Sequence, residues 1–303
     1  MRRWLVVVCF AMMFSAVTVP ATGLPAEPVG NSMLFGGQWT PANNATAGNM
    51  ALSEMPAVVE VFTATWCENC VDVEHALDDV QDLGLLQQYH IHRAIGESQD
   101  PFGTEVLDQR WRDRYGASSP PAVVFNGTMK KIGSKADDGT LVNEFSNLAK
   151  ADLGLGEGNS TFVWTPLNGS GSVEWLLEID DRHLENATLS VAVFIVESAA
   201  DFEEGTNGLG TYPHIVRDIH LLGDQRQGTA QLTLPEPFDG DDLEVHLLYE
   251  IIPDPVVEDP VVKDDGCSDD DDCETEDTPA LSLSLMLVAI AGAAITRTRR
   301  SVA

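Results

Sequence analysis

Residues 58–70 read VVEVFTATWCENC, a run rich in β-branched residues that stops on a tryptophan and two cysteines separated by Glu68 and Asn69. A nearly continuous apolar run of this kind suits a strand covered on both faces, so residues 57–63 are expected to form a buried strand. The cysteines then fall where a helix begins, because Val73, Ala76, Leu77, Val80 and Leu83 recur on one helical face. Two thiols three positions apart admit three readings: a redox couple, half of a metal site, or a structural pair. Zinc needs two further ligands, and the chain has no second C-x-x-C. Copper is the alternative metal, since His90 and His92 alternate on the next apolar stretch and share a face. No metal and no cofactor is expected.

The ends of the chain bear on the compartment. Arg2 and Arg3 precede an apolar stretch over residues 4–19 and small residues near Ala21, the order of a signal peptide over residues 1–22. Cys9 falls inside it. Near the other end, an apolar stretch over residues 280–296 is stopped by Arg297, Arg299 and Arg300. About 20 apolar residues span a bilayer, so this is read as a single membrane-spanning or sorting anchor with a basic cytoplasmic tail at 297–303. These two ends place the remainder at the cell surface, with the membrane as partner through the anchor. A net charge of −31 excludes nucleic acid as a partner. Five sequons, at Asn44, Asn126, Asn159, Asn168 and Asn186, are candidate glycan acceptors.

Between the ends, residues 23–55 read as a Gly-, Asn- and Pro-rich leader. Residues 56–154 alternate strand and helix patterns, in the order strand, helix, strand, helix, two strands, helix. Asn126 and Gly127 between two β runs are a hairpin signal. From residue 159 the helical pattern gives way to short alternating segments separated by turn residues, read as an all-β immunoglobulin-like sandwich over 159–252. A Pro-rich and acidic stalk follows over 253–278. Within it Cys267 and Cys273 flank SDDDD and are expected to form a small structural disulfide.

Trp66, Cys67, Glu68, Asn69 and Cys70 at a strand-to-helix join, with Pro121 leading into AVVFNG, resemble the thioredoxin superfamily over roughly residues 56–154. The resemblance implies an α/β thioredoxin-like domain. It also implies a redox-active Cys67–Cys70 disulfide, with Cys67 as nucleophile and Cys70 as resolving thiol, and a peptide groove shaped by Trp66, Pro120 and Pro121. The partners it implies are extracellular protein thiols or disulfides, together with a separate electron donor or acceptor. Two departures stand out. Val61 occupies the position of the buried acid of thioredoxin reductants, with Glu60 beside it, and Glu68 next to the nucleophile opposes thiolate formation by like charge. The join of such a domain to an all-β half, with DPFGTEVLDQRWRDRYG and YPHIVRDI, is also similar to secreted surface proteins of bacteria and archaea, and Tyr212, His214 and Arg217 belong to that likeness. The chain is therefore read as a surface-anchored thiol-disulfide oxidoreductase, with a non-catalytic surface binding or adhesion protein as the alternative.

Overall fold

The computed structural model describes residues 22–30 and 32–255. The signal peptide, most of the stalk with Cys267 and Cys273, the anchor and the basic tail lie outside the described residues. In chain order the strands are β1 (Glu27–Pro28), β2 (Met33–Pro41), β3 (Thr46–Ala51), β4 (Ala57–Thr63), β5 (Leu86–His92), β6 (Ala122–Phe125) and β7 (Met129–Ile132). They continue with β8 (Asn159–Leu167), β9 (Ser170–Glu178), β10 (Ala187–Asp201), β11 (Thr211–Gly223), β12 (Gln227–Thr233) and β13 (Leu243–Pro253). Three α-helices interleave with the first half: α1 (Glu68–Gln81), α2 (Glu105–Tyr115) and α3 (Leu141–Ala149).

Strand β4 is buried along its whole length because both of its faces are covered. Val59 and Val61 pack under α1 and α3 with Val73, Leu77, Val80 and Phe145. Val58 and Phe62 face α2 on the other side, where the Phe62 and Trp111 rings stack 5.0 Å apart. Helix α2 starts where the Thr104 hydroxyl accepts the Leu107 N–H at 3.3 Å, satisfying a donor that the helix leaves free. At the β6–β7 turn Asn126 and Gly127 both take positive φ, 50° and 70°, which the hairpin demands. The Asn126 side chain accepts the Val58 N–H at 2.8 Å and is buried, so this sequon is closed to a glycan.

The chain does not form an α/β domain followed by an independent sandwich. It is mostly β, with three α-helices among the described residues, and one nine-stranded sheet runs through both halves in the order β1-β7-β6-β4-β5-β11-β10-β13-β2. The free edge of β5 is met in parallel by β11, with Ile215 opposite His90, and antiparallel pairing then carries the sheet outward through β10, β13 and β2. Leaving β5 as an exposed apolar edge would invite aggregation, and this pairing removes it. Strands β12, β9, β8 and β3 form a second sheet. Its Phe162, Trp164, Trp175 and Leu177 pack on Val191, Val193, Ile195, Val245 and Leu247 of the large one. Strand β10 is buried on both faces, since Ala192, Phe194 and Val196 belong to the core on the α2 side. The stretch read as a leader contributes β2 to one sheet and β3 to the other.

Among the described residues, no helix is long and apolar enough to cross a membrane. The membrane-spanning helix and the anchored cell-surface location expected from the sequence are withdrawn on that finding, and the stretch they rested on, residues 280–296, is outside the described residues.

Candidate functional site

Cys67 is the N-cap of α1 and Cys70 closes its first turn, with the Cys70 N–H donating to the Cys67 carbonyl at 3.0 Å. The two are joined as a disulfide with Cα atoms 5.3 Å apart. Cys67 keeps 5% of its surface exposed and Cys70 none, so an incoming group meets Cys67 first. Helix starts carry unpaired N–H groups and a partial positive charge, which favour a thiolate at Cys67; the exposed Glu68 carboxylate opposes it.

Trp66 packs against Ala64 and both cysteines, and its indole N–H donates to Glu97 Oε2 at 2.7 Å. The Arg93 guanidinium lies 5.8 Å from its ring centre. The Pro120–Pro121 bond is cis. Because Ala122 pairs with Phe62 in an antiparallel register, Pro121 comes beside the end of β4. Trp66 and the two cysteines are brought together, while Pro121 is buried and Pro120 is partly exposed.

Glu60 is not a proton acceptor for this site. It faces α2, where its carboxylate accepts from Arg110 Nη1 at 2.5 Å and from the Tyr115 hydroxyl. Burial works against its charge, yet Arg110, Arg114 and the Tyr115 hydroxyl together hold the carboxyl below its ordinary range. The acid on the side of the couple is Glu74, four residues after Cys70 on the buried stripe of α1. The Thr63 hydroxyl donates to Glu74 Oε1 at 2.5 Å. Burial pushes the Glu74 carboxyl up, against the pull of Thr63 and His92.

His92 and Thr63 are register partners at the ends of β5 and β4. His92 Nδ1 donates to Asp100 Oδ2 at 2.8 Å, and the same oxygen accepts the Thr65 N–H at 2.8 Å. Burial would raise the Asp100 carboxyl, but His92 and the N–H groups of Thr65 and Phe102 hold it low, so it is a carboxylate. The all-β half closes the floor. Thr206 and Asn207 donate their N–H groups to the Thr65 carbonyl at 3.0 and 3.1 Å, and the Tyr212 hydroxyl reaches Asn207 Oδ1 at 2.8 Å. Tyr212 is pushed up to about 12, first by burial and then by the charges of Asp100 and Glu74.

Among the described residues the copper alternative finds no ligand set. His90 is hydrogen-bonded to Gln88 Oε1 at 3.0 Å and packs edge-on against His214. Burial, then His214 and His92, hold the His90 imidazole well below its ordinary range. Among the described residues, the group of His, Cys, Asp and Glu side chains close enough to share a metal is Glu197, Asp239 and Asp242, which includes neither cysteine. Of the other residues noted in the sequence, His214 contacts Gln81 and Arg217 pairs with Glu197 at 3.0 Å, while Tyr212 belongs to the site. Sequence reasoning passed over Glu74, Asp100 and Asn207. For Glu74 the available signal was an acid on an otherwise apolar helical stripe that also holds Cys70.

No protein-family model matches this sequence, and no curated protein is significantly similar to it. A crystal structure of a protein from Agrobacterium tumefaciens is similar with a TM-score of 0.42 and 15% identity, covering 67% of this chain and 96% of that one. At that level the likeness carries no argument about fold or activity.

Proposed function

We propose that the protein exchanges disulfides with protein substrates through Cys67 and Cys70. The observation that carries this reading is the placement of the pair: Cys67 caps a helix start with part of its surface open, while Cys70 lies one turn on and fully buried. A thiolate at the helix start attacks a substrate disulfide, and the neighbouring thiol resolves the mixed disulfide that results. In the oxidised form shown here, Cys67 is the sulfur a substrate thiolate attacks. Trp66 packs beside the couple and, with Pro121 as the resemblance implies, supplies the apolar and backbone surface against which an extended peptide lies. The likeness of the Trp66 to Cys70 stretch to thioredoxin-type couples supports the same chemistry.

A redox titration tests the proposal. An exchanging couple has a potential of about −120 to −270 mV, whereas structural disulfides fall below about −300 mV. With a disulfide-bonded peptide, Cys70→Ser is expected to accumulate a mixed disulfide on Cys67, and Cys67→Ser to form none. A potential in the structural range, with no mixed disulfide trapped by Cys70→Ser, makes the bond a cross-link and the protein a binding module.

A further inference from the structure

The α2 side of the large sheet is covered in part. Helix α2 packs on β4 and β5 and reaches β10, where the Arg110 guanidinium stands 5.2 Å from the Phe194 ring centre. Beyond the helix, β11, β10 and β13 floor an open cavity of about 660 Å³. Ala192, Phe194, Ile219 and Leu248 give it an apolar lining. Three further apolar residues border it while largely open to water: Val106 is 78% exposed, Leu221 76% and Ile252 40%. Single exposed apolar residues are ordinary, but a contiguous set around one hollow marks an interaction site. Small-molecule sites have this size, about 300–1,000 Å³, and this make-up, an apolar wall with a few convergent polar groups.

The convergent polar groups are guanidiniums. Arg110 and Arg114 of α2 and Arg217 of β11 all line the cavity, in a chain with 17 basic residues against 48 acidic ones. Each is matched by an acid, Arg110 by Glu60, Arg114 by Glu250 and Arg217 by Glu197. Glu60 and Glu197 are buried outside the lining, and Asp218 within it is turned to the Ile219 N–H and to His220. Donors remain to spare, since a guanidinium presents five N–H groups. Arg114 Nε and Arg217 Nη1 are buried without a hydrogen-bond partner among the described residues; Arg217 Nη1 lies 3.0 Å from Glu197 Oε2 but out of line.

We propose that this cavity binds a single-chain amphiphile with a carboxylate head, of the fatty-acid class, with the head on Arg217 and Arg110 and the tail along β10 toward Ser190. A planar carboxylate matches the fork of a guanidinium, and under-used donors select an anion over a cation. Strand register sets the placement. Phe194, under Arg110, is paired with Ile219, two residues from Arg217, so both guanidiniums belong to the Phe194 row. Ala192 comes next, between Leu221 and Leu248, and then Ser190 opposite Glu250, where the self-matched Arg114–Glu250 pair marks the far end. From Phe194 to Ser190 the strand rises about 14 Å, which an extended tail of about ten to twelve carbons fills. The assignment is independent of the exchange activity, because the couple starts α1 on the opposite face of the sheet.

Titration of the full chain with carboxyl-labelled dodecanoate, followed by NMR below the concentration at which it forms micelles, tests the site. Saturable binding is expected, with decanoate weaker by about fifteenfold because each CH₂ is worth about fourfold in affinity. Dodecanol, which keeps the tail and lacks the charge, should bind at least about tenfold more weakly than dodecanoate. Arg217→Gln should lose the same factor and move the carboxyl resonance. Leu221→Glu and Val106→Glu alter exposed positions that the fold does not depend on, so they decide the matter even if Arg217→Gln does not fold; each should weaken dodecanoate about tenfold or more by setting a charge against the tail. No saturable binding up to about 1 mM overturns the proposal. Equal affinity for dodecanol and dodecanoate overturns the anionic head, and binding unchanged in both rim variants overturns the site.

Discussion

Glu60→Gln is expected to destabilise the protein in a way that pH can isolate. Glu60 is fully buried and accepts from Arg110 and Tyr115, both on α2, while Arg114 of the same helix pairs with Glu250 on β13 at 2.6 Å. The network ties the helix to both halves of the large sheet. Removing one member of a buried ion pair costs about 3–5 kcal/mol, and because Arg110 remains partly open to water and the new amide still accepts from Tyr115, the lower figure applies. For a protein of this size each kcal/mol moves Tm by about 2–4 °C, so the expected loss at pH 7 is about 6–12 °C. The pH dependence follows from the depressed carboxyl of Glu60. Its stabilisation is complete above the unfolded value of about 4.3 and is lost as pH falls through the lower folded value. Calorimetry at pH 7, 5 and 3 should therefore show the wild type and Glu60→Gln converging only at the acid end. A loss below about 2 °C at pH 7, or a gap that persists unchanged at pH 3, would refute the claim that a charged Glu60 stabilises this network.

Tyr89 lies on β5, with its hydroxyl 3.2 Å from His246 Nδ1 on β13 and its ring edge-on to Phe194 of β10. Tyr89→Phe should cost about 1–2 kcal/mol in urea denaturation, and a neutral result would show that this polar link across the sheet is not formed. His90 and His246 are buried and His214 is partly buried, with all three imidazoles held below their ordinary range, mainly by desolvation. The unfolded chain therefore binds more protons below about pH 6.5, and stability should fall between pH 7 and 5; His90→Gln should flatten part of that slope in denaturation curves. A Cβ at Gly171 would come within 2.2 Å of the Trp164 ring, so Gly171→Val should displace the indole, cost about 1–3 kcal/mol and change the tryptophan fluorescence.

Elements governed by local chemistry were legible in the sequence, and elements governed by distant pairing were not. The β-branched run at β4, the apolar stripes of α1 and α3 and the Asn126–Gly127 turn follow from short-range preference. Strand β2 escaped notice because Gly36 and Gly37 interrupt its alternation, and its register with β13 shifts at this point. The joining of β5 to β11 leaves no periodic trace, because a parallel neighbour changes only what lies beside a strand, not which of its residues are apolar. That is why two halves of different pattern read as two domains. In the site, the cysteines, Trp66 and Pro121 were visible as a motif. The alternation of His90 and His92 showed only that they share a face; they are buried because β11 covers the edge on which they lie. Glu74 looked like one more charge in an acidic chain, and its burial became apparent only once Thr63 and His92 were placed across from it.

The pairing of β2 with β13 sets Met33 opposite Ile251, so the large sheet is completed by strands from opposite ends of the described chain. Such long-range pairing delays folding, since the entropy of closing the intervening loop must be met before the contacts form. During synthesis β2 waits unpaired until nearly the whole chain has left the ribosome. Cys67 and Cys70 emerge in the interval, before Asn207 and Tyr212 can close beneath them. In a newborn chain Cys70 is therefore as open to oxidants and to mispairing as Cys67, whereas in the finished protein it is fully buried.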